Sequence, residues 1–193
     1  MKKLSHDEIA KHRFTIEQLR QAQRTPIYVI LDSVRSLYNV GSIFRTADAA
    51  GISKLYLTGI TPSPLDRFGA YRNELRKVSL GAEEWVSWEK RKSVASVIRK
   101  LKRDGAHVYA VEQSKRSVPY QKIFSTNVKT GKYCLVFGSE TKGLPPSILK
   151  QADRIIEIPM KGKKESLNVS VAFGIVVYAS VFFDRKVESS RRL

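Results

Sequence analysis

Hydrophobic positions divide this chain into short β-branched runs separated by amphipathic stretches. Residues 1–25 are polar and basic, with Ile9, Phe14, Ile16 and Leu19 as sparse apolar points. Ser5 followed by Glu8 is a capping-box pattern, so the segment reads as an arm of one or two short helices. Pro26 begins a different texture. Ile27-Tyr-Val-Ile-Leu31 is continuously apolar, as expected of a strand covered on both faces. Between Asn39 and Ala50, the positions Val40, Ile43, Phe44, Ala47 and Ala50 recur at helical spacing, and Gly51 suits the stop. Lys54–Thr58 predicts a strand, and 59–72, with its prolines and glycines, a loop. Glu84–Trp88 reads as a short strand. Ser93–Arg103 reads as a basic helix with Val94, Val97, Ile98 and Leu101 on one face. His107–Val111 and Tyr133–Phe137 are two more strands, and Pro145-Pro146 opens a short helix running to about Lys150. Ile155–Ile158 is the last strand and 166–184 the last helix. This alternation predicts an α/β fold with a doubly wound, mainly parallel sheet.

Composition narrows the class. A chain of 193 residues with 42% apolar and 27% charged positions is globular and long enough for one core without disulfide staples. The expected organisation is an arm at 1–25, a domain at 26–184 and a tail at 185–193. Lys and Arg number 35 against 18 Asp and Glu, a net charge of +17, so the expected partner is anionic: nucleic acid or an anionic membrane surface. A lone cysteine, Cys134, excludes a disulfide framework within the chain and a cysteine-rich zinc site. The three histidines are too scattered for a metal centre, and no metal is expected. Met1–Glu8 has no apolar stretch of the secretory kind, which points to the cytoplasm. Ser166–Phe183 carries no charge, but its Ser, Asn and Gly residues favour a buried helix over a membrane span.

In doubly wound sheets ligands bind beyond the carboxyl ends of the strands. Three segments fall there: 33–45, 138–145 and 159–168. Gly138-Ser-Glu-Thr-Lys-Gly143-Leu144 imitates a phosphate loop, but Leu144 stands where its lysine belongs. GxGxxG is absent as well. The glycines therefore suggest close backbone approach to some other ligand. Taken singly, these residues have plainer readings. Asn39 fits a helix N-cap and Arg45 a solvated helix position. Glu140 fits an exposed loop, and Ser166 and Asn168 fit a cap of the last helix.

Together the segments carry more. Asn39-Val-Gly-Ser-Ile-Phe-Arg45, with Thr-Ala-Asp-Ala-Ala-Gly-Ile52 after it, resembles a motif of the SpoU-type (TrmH-like) RNA 2′-O-ribose methyltransferases of the SPOUT superfamily. So do Leu135-Val-Phe-Gly-Ser-Glu140-Thr-Lys-Gly-Leu144 and Ile158-Pro-Met-Lys-Gly-Lys-Lys-Glu-Ser166-Leu-Asn168-Val-Ser-Val-Ala172. The resemblance implies a deep C-terminal trefoil knot, S-adenosylmethionine as methyl donor, RNA (tRNA or rRNA) as substrate and a homodimer. By position it implies Gly138, Ile158, Leu167, Met160 and Glu112 at the cofactor. Arg45 becomes the catalytic arginine, with Asn39, Glu140, Ser166 and Asn168 as polar partners. A guanidinium keeps its proton, so the role it suits is to stabilise a developing 2′-alkoxide or anchor a neighbouring phosphate rather than act as base. Tyr38, Phe68 and Tyr71, in expected loops, could stack on unpaired bases or simply pack. Short basic extensions lean the substrate slightly toward tRNA. An inactive RNA-binding or assembly factor of the same fold and an RNA base methyltransferase remain as alternatives.

Overall fold

The computed structural model describes residues 22–124 and 131–182, together with 3–5, 7–8, 15 and 17–18 of the preceding segment. Most of the expected arm and all of the expected tail lie outside the described residues. Within the arm the capping box is present. The Glu8 amide donates to Ser5 Oγ at 3.2 Å and the Ser5 amide to the Glu8 carboxylate at 2.6 Å. Thr15 and Gln18 repeat the arrangement.

The chain then alternates as the pattern requires. β1 (Thr25–Asp32), α1 (Leu37–Ala49) and β2 (Ile52–Thr58) are followed by two short helices, α2 (Asn73–Ser79) and α3 (Ala82–Trp85). Next come β3 (Trp88–Lys90), α4 (Val94–Arg103) and β4 (Ala106–Val111). β5 (Val118–Pro119), α5 (Tyr120–Phe124), β6 (Lys132–Phe137), α6 (Pro146–Leu149), β7 (Arg154–Glu157) and α7 (Val169–Phe182) complete it. The seven strands form one sheet in the order β3-β2-β1-β6-β4-β7-β5, and every pairing between them is parallel. All carboxyl ends therefore open on one edge.

Alternation along the central strands explains their unbroken apolar runs. Ile27, Val29 and Leu31 of β1, with Tyr133, Leu135 and Phe137 of β6, face a cluster roofed by α1, α2 and α7. Ile30, Cys134 and Val136 face the opposite cluster, roofed by α4 and α6. Both faces are dry, as a parallel sheet demands. Truncating a fully buried residue such as Leu135 to Ala costs about 2–5 kcal/mol. Cys134 lies in this core, and burial pushes its thiol pKa far up, so it is inert.

Two expectations need correcting. Residues 84–88 do not form a strand. Gly81, left-handed at φ +89°, starts a helical turn that buries Ala82 and Glu83, and the Ser79 hydroxyl donates to the Glu83 carboxylate at 2.5 Å. The strand begins only at Trp88, opposite Leu55. Tyr38 is not in a loop either; it stands exposed in the first turn of α1.

Candidate active site

The three motif segments converge on the carboxyl edge. Ser36, not Asn39, caps α1: its side chain accepts the Asn39 amide. The Asn39 side chain is thereby free for a longer-range task. Its Nδ2 donates to Glu140 Oε1 at 2.9 Å, and its Oδ1 accepts Asn168 Nδ2 at 3.1 Å. Asn168 in turn accepts the Ser170 amide and hydroxyl, opening α7. Glu140 also accepts the amides of Arg35, at 3.2 Å, and Ser36, at 3.5 Å. One asparagine thus ties together residues 101 and 129 positions away. Burial raises the Glu140 pKa, but the hydrogen bonds from Asn39 and these amides outweigh it and hold the carboxyl below its ordinary value.

Beside this network lies a cleft of about 870 Å³ between the segments after β4, β6 and β7. A smaller, mainly apolar recess of about 110 Å³ adjoins it, where Val111, Ile158, Met160, Leu167 and Ala172 share the lining with Glu112, Gln113, Glu157 and Ser166. All five expected cofactor residues line one or both: Gly138, Ile158, Leu167, Met160 and Glu112. Their roles differ from simple contact. A Cβ on Gly138 would fall 2.3 Å from the Gly143 carbonyl carbon and 2.6 Å from the Leu144 amide nitrogen. The direction a Cβ would take at Gly138 is therefore filled by the protein's own loop, while the residue also lines the cleft. Gly143 is left-handed at φ +60°, and a Cβ there would strike the Glu112 carboxylate. That carboxylate accepts the Leu144 amide at 2.8 Å and the Gln113 amide at 2.9 Å. Glu112 shapes the wall of the cleft by pinning the β6 loop to the β4 end. Gln113, which no sequence pattern singles out, donates from Nε2 to the Glu165 carbonyl at 2.5 Å and straps the third segment across.

Electrostatics inside the cleft run opposite to those of the whole chain. Glu112, Glu140 and Glu165 line it against Lys142 and Lys164. A protein of net charge +17 thus presents an excess of carboxylate at this spot. An apolar recess for a flat heterocycle beside carboxylates for a cationic centre fits the donor set of S-adenosylmethionine.

Ser166 lines both cavities but is outside the hydrogen-bonded network. Arg45 is outside both. It is exposed on the third turn of α1, six residues from Asn39 and so about 9 Å farther along the axis. Seven residues separate it from Tyr38, which places both on one outward stripe.

The SpoU rRNA Methylase family model matches residues 26–178, the part of the chain that builds this sheet and cleft. The chain belongs to the SpoU rRNA methylase family. This SpoU member is 31% identical over 169 residues to the tRNA (guanosine(18)-2′-O)-methyltransferase of Aquifex aeolicus, covering 84% of this chain and 72% of that protein. It is 30% identical over 165 residues to the 23S rRNA (guanosine-2′-O-)-methyltransferase RlmB of Pseudomonas putida, covering 86% and 62%. The chain therefore spans less than two thirds of that relative. Among solved structures, the A. aeolicus TrmH/SpoU tRNA modifying enzyme superposes with a TM-score of 0.71 at 29% identity, over 85% of this chain and 81% of that one. The AdoMet-bound rRNA methyltransferase of Sinorhizobium meliloti also gives 0.71, at 31% identity over 84% and 59%.

Proposed function

We propose that this SpoU family member is an S-adenosylmethionine-dependent RNA methyltransferase acting on a ribose 2′-hydroxyl of tRNA or rRNA. The observation that carries the reading is the Glu140–Asn39–Asn168 network, which closes three distant segments around a carboxylate-lined cleft beside an apolar recess. Bound there, the cofactor supplies an electrophilic methyl group. Gly138, Ile158, Met160 and Leu167 wall it, while Glu112 and Gln113 hold the loops in place. Arg45 faces the acceptor: its fixed charge stabilises the developing alkoxide or anchors the adjacent phosphate, and water or a phosphate takes the proton. Asn39, Glu140 and Asn168 order the edge on which the ribose lies, and Ser166 lines the cleft beside them.

Arg45 reaches substrate from a surface that we assign to a homodimer. α7 is apolar on every side and leaves Val171, Tyr178 and Phe182 exposed at helical spacing. α1 packs beside it where Thr46 meets Gly174, and carries exposed Tyr38 and Arg45. A second copy covering this face removes the apolar stripe from water and sets Arg45 at the subunit boundary. The family's trefoil knot belongs to the same proposal. It is supported by the strap of residues 159–168, bonded to Gln113 after β4 and, through Asn168, to Asn39 of α1. The domain is 26–184, flanked by an arm at 1–25 that serves RNA docking or dimer contacts and by a tail at 185–193, in the cytoplasm. Among the described residues no helix is long and apolar enough to cross a membrane.

Calorimetric titration with S-adenosylmethionine tests the cleft. Saturable binding is expected for the wild type and loss of it for Gly138→Ala. A wild-type protein that binds RNA but no donor would return the chain to the class of non-catalytic RNA-binding factors.

A further inference from the structure

The loop between β2 and α2 contains the most exposed aromatic ring among the described residues, Phe68, at 79% relative exposure. The loop is nonetheless well ordered by its own bonds. Leu65 pairs with Tyr71 in an antiparallel bridge, and the Asp66 amide donates to the Ala70 carbonyl at 2.8 Å. The Asp66 carboxylate accepts the amides of Phe68, at 2.8 Å, and Ala70, at 3.0 Å, and Gly69 makes the turn at φ +83°. The Arg72 amide closes the base on Pro64 at 2.9 Å. Residues 64–72 are thus a small hairpin that holds Phe68 at its tip.

Both ends of the hairpin are fixed to the acceptor side of the site. Before it, Thr61 Oγ1 donates to the Leu31 carbonyl at 2.8 Å and accepts the Val34 amide at 3.1 Å; the next two amides, of Arg35 and Ser36, hold Glu140. Lys90 Nζ binds the Gly59 and Thr61 carbonyls at 2.8 and 2.5 Å. After the hairpin, α2 lies so close to α1 that a Cβ on Gly41 would be 2.7 Å from the Leu75 carbonyl oxygen. α1 carries both Asn39 and Arg45. The hairpin leaves from β2, two strands from β6, so about 10 Å separates its root from the Gly138 loop along the same edge.

The tip has the chemistry of a nucleobase platform. The Arg67 guanidinium carbon lies 4.6 Å from the Phe68 ring centroid and makes no ion pair among the described residues. It covers one face of the ring and leaves the other open. Holding this ring in water forgoes the gain of burying it, a gain that a bound partner would supply. By contrast, the neighbouring Arg76 stacks on Tyr71 at 4.7 Å but is neutralised by Glu84 at 2.5 Å. A ring backed by an uncompensated cation, in a chain of net charge +17, matches a π-face next to a phosphate.

We propose that the 64–72 hairpin is a stacking finger for the RNA: the open face of Phe68 takes an unpaired base flanking the target ribose, and Arg67 meets the neighbouring phosphate. This rests on the RNA reading above and adds how the substrate is held. The test uses a fluorescein-labelled RNA stem-loop and the same stem as a closed duplex, with binding followed by anisotropy. Phe68→Ala weakens stem-loop binding roughly 5- to 100-fold, and Phe68→Trp stays within about threefold of wild type. S-adenosylmethionine binding is unchanged in both. The salt slope of binding is unaltered in Phe68→Ala and falls by about one in Arg67→Ala. Unchanged stem-loop affinity in Phe68→Ala overturns the finger. So does an equal loss on the duplex, and so does loss of self-association on light scattering with RNA affinity intact. Methyl transfer is scored separately. A wild type that binds the stem-loop through Phe68 but methylates no RNA overturns the enzyme reading and leaves the finger standing.

Discussion

The two sides of the candidate site are built in opposite ways. On the donor side, around Gly138 and Gly143, backbone lies against backbone so closely that a single added methyl group has no room, and Glu112 is consumed in pinning the loops. On the proposed acceptor side, Arg45, Tyr38 and Phe68 project into solvent, Phe68 with only the Arg67 guanidinium stacked on its ring. The difference follows from what each side must recognise. A small cofactor of fixed shape rewards a rigid cavity completed within one chain. A large anionic substrate rewards projecting cations and rings that order on contact.

The contrast is sharpest at Gly138. Gly138→Ala displaces the 143–144 backbone and is expected to abolish donor binding, at least 100-fold by calorimetry, with the far-ultraviolet circular dichroism of the sheet retained. Arg45→Ala should do the reverse. Methyl transfer falls about 100-fold or more in a radiometric assay, consistent with losing one group that stabilises transition-state charge, while donor affinity stays within about twofold. Arg45→Lys recovers only part of the rate if the planar fork matters. Should Arg45→Ala lose donor affinity as well, the two sides are not separable. A charge in the α7 stripe, Tyr178→Asp, is expected to convert a dimer to a monomer by light scattering at micromolar concentration, with activity lost alongside.

Smaller effects come from the network that joins the sides. Glu140→Gln removes the charged acceptor of the Asn39 side chain and two amides. Because Glu140 is exposed, the loss should be about 0.5–1.5 kcal/mol, lowering the melting temperature by a few degrees. The Glu140 pKa is depressed in the folded state, so its contribution is present above the unfolded carboxyl value near 4.5 and is lost as pH falls through the folded value. Between pH 5 and 3 the wild type should therefore lose more stability than Glu140→Gln, a difference readable by thermal melts across that range.

How much of this was legible in the residues alone depends on which forces act locally. Ile27–Leu31 and Tyr133–Phe137 announced themselves because a strand buried on both faces admits no polar position. Val97, Ile98 and Leu101 marked α4 because its other face is basic. Residues 84–88 misled because their apolar and acidic positions also suit one helical turn, and the left-handed Gly81 decides between them. The structure brings the motif residues Asn39, Glu140 and Asn168 into one hydrogen-bonded chain, yet no spacing reveals that Asn39 is the link between the other two. Gln113 carried no signal, since its partner is a backbone carbonyl 52 residues away. At Gly138 the residue type signals close approach, and the group met on its Cβ side is the 143–144 loop.

The central claim is methyl transfer to a ribose hydroxyl, and product analysis tests it most directly. Unmodified tRNA and rRNA transcripts are incubated with the protein and isotopically labelled S-adenosylmethionine, digested to nucleosides and fragmented in a mass spectrometer. The account predicts a labelled nucleoside whose extra methyl mass stays on the sugar fragment, absent with Arg45→Ala. A label that stays on the base fragment, or no labelled nucleoside from a protein that binds the donor, would contradict it.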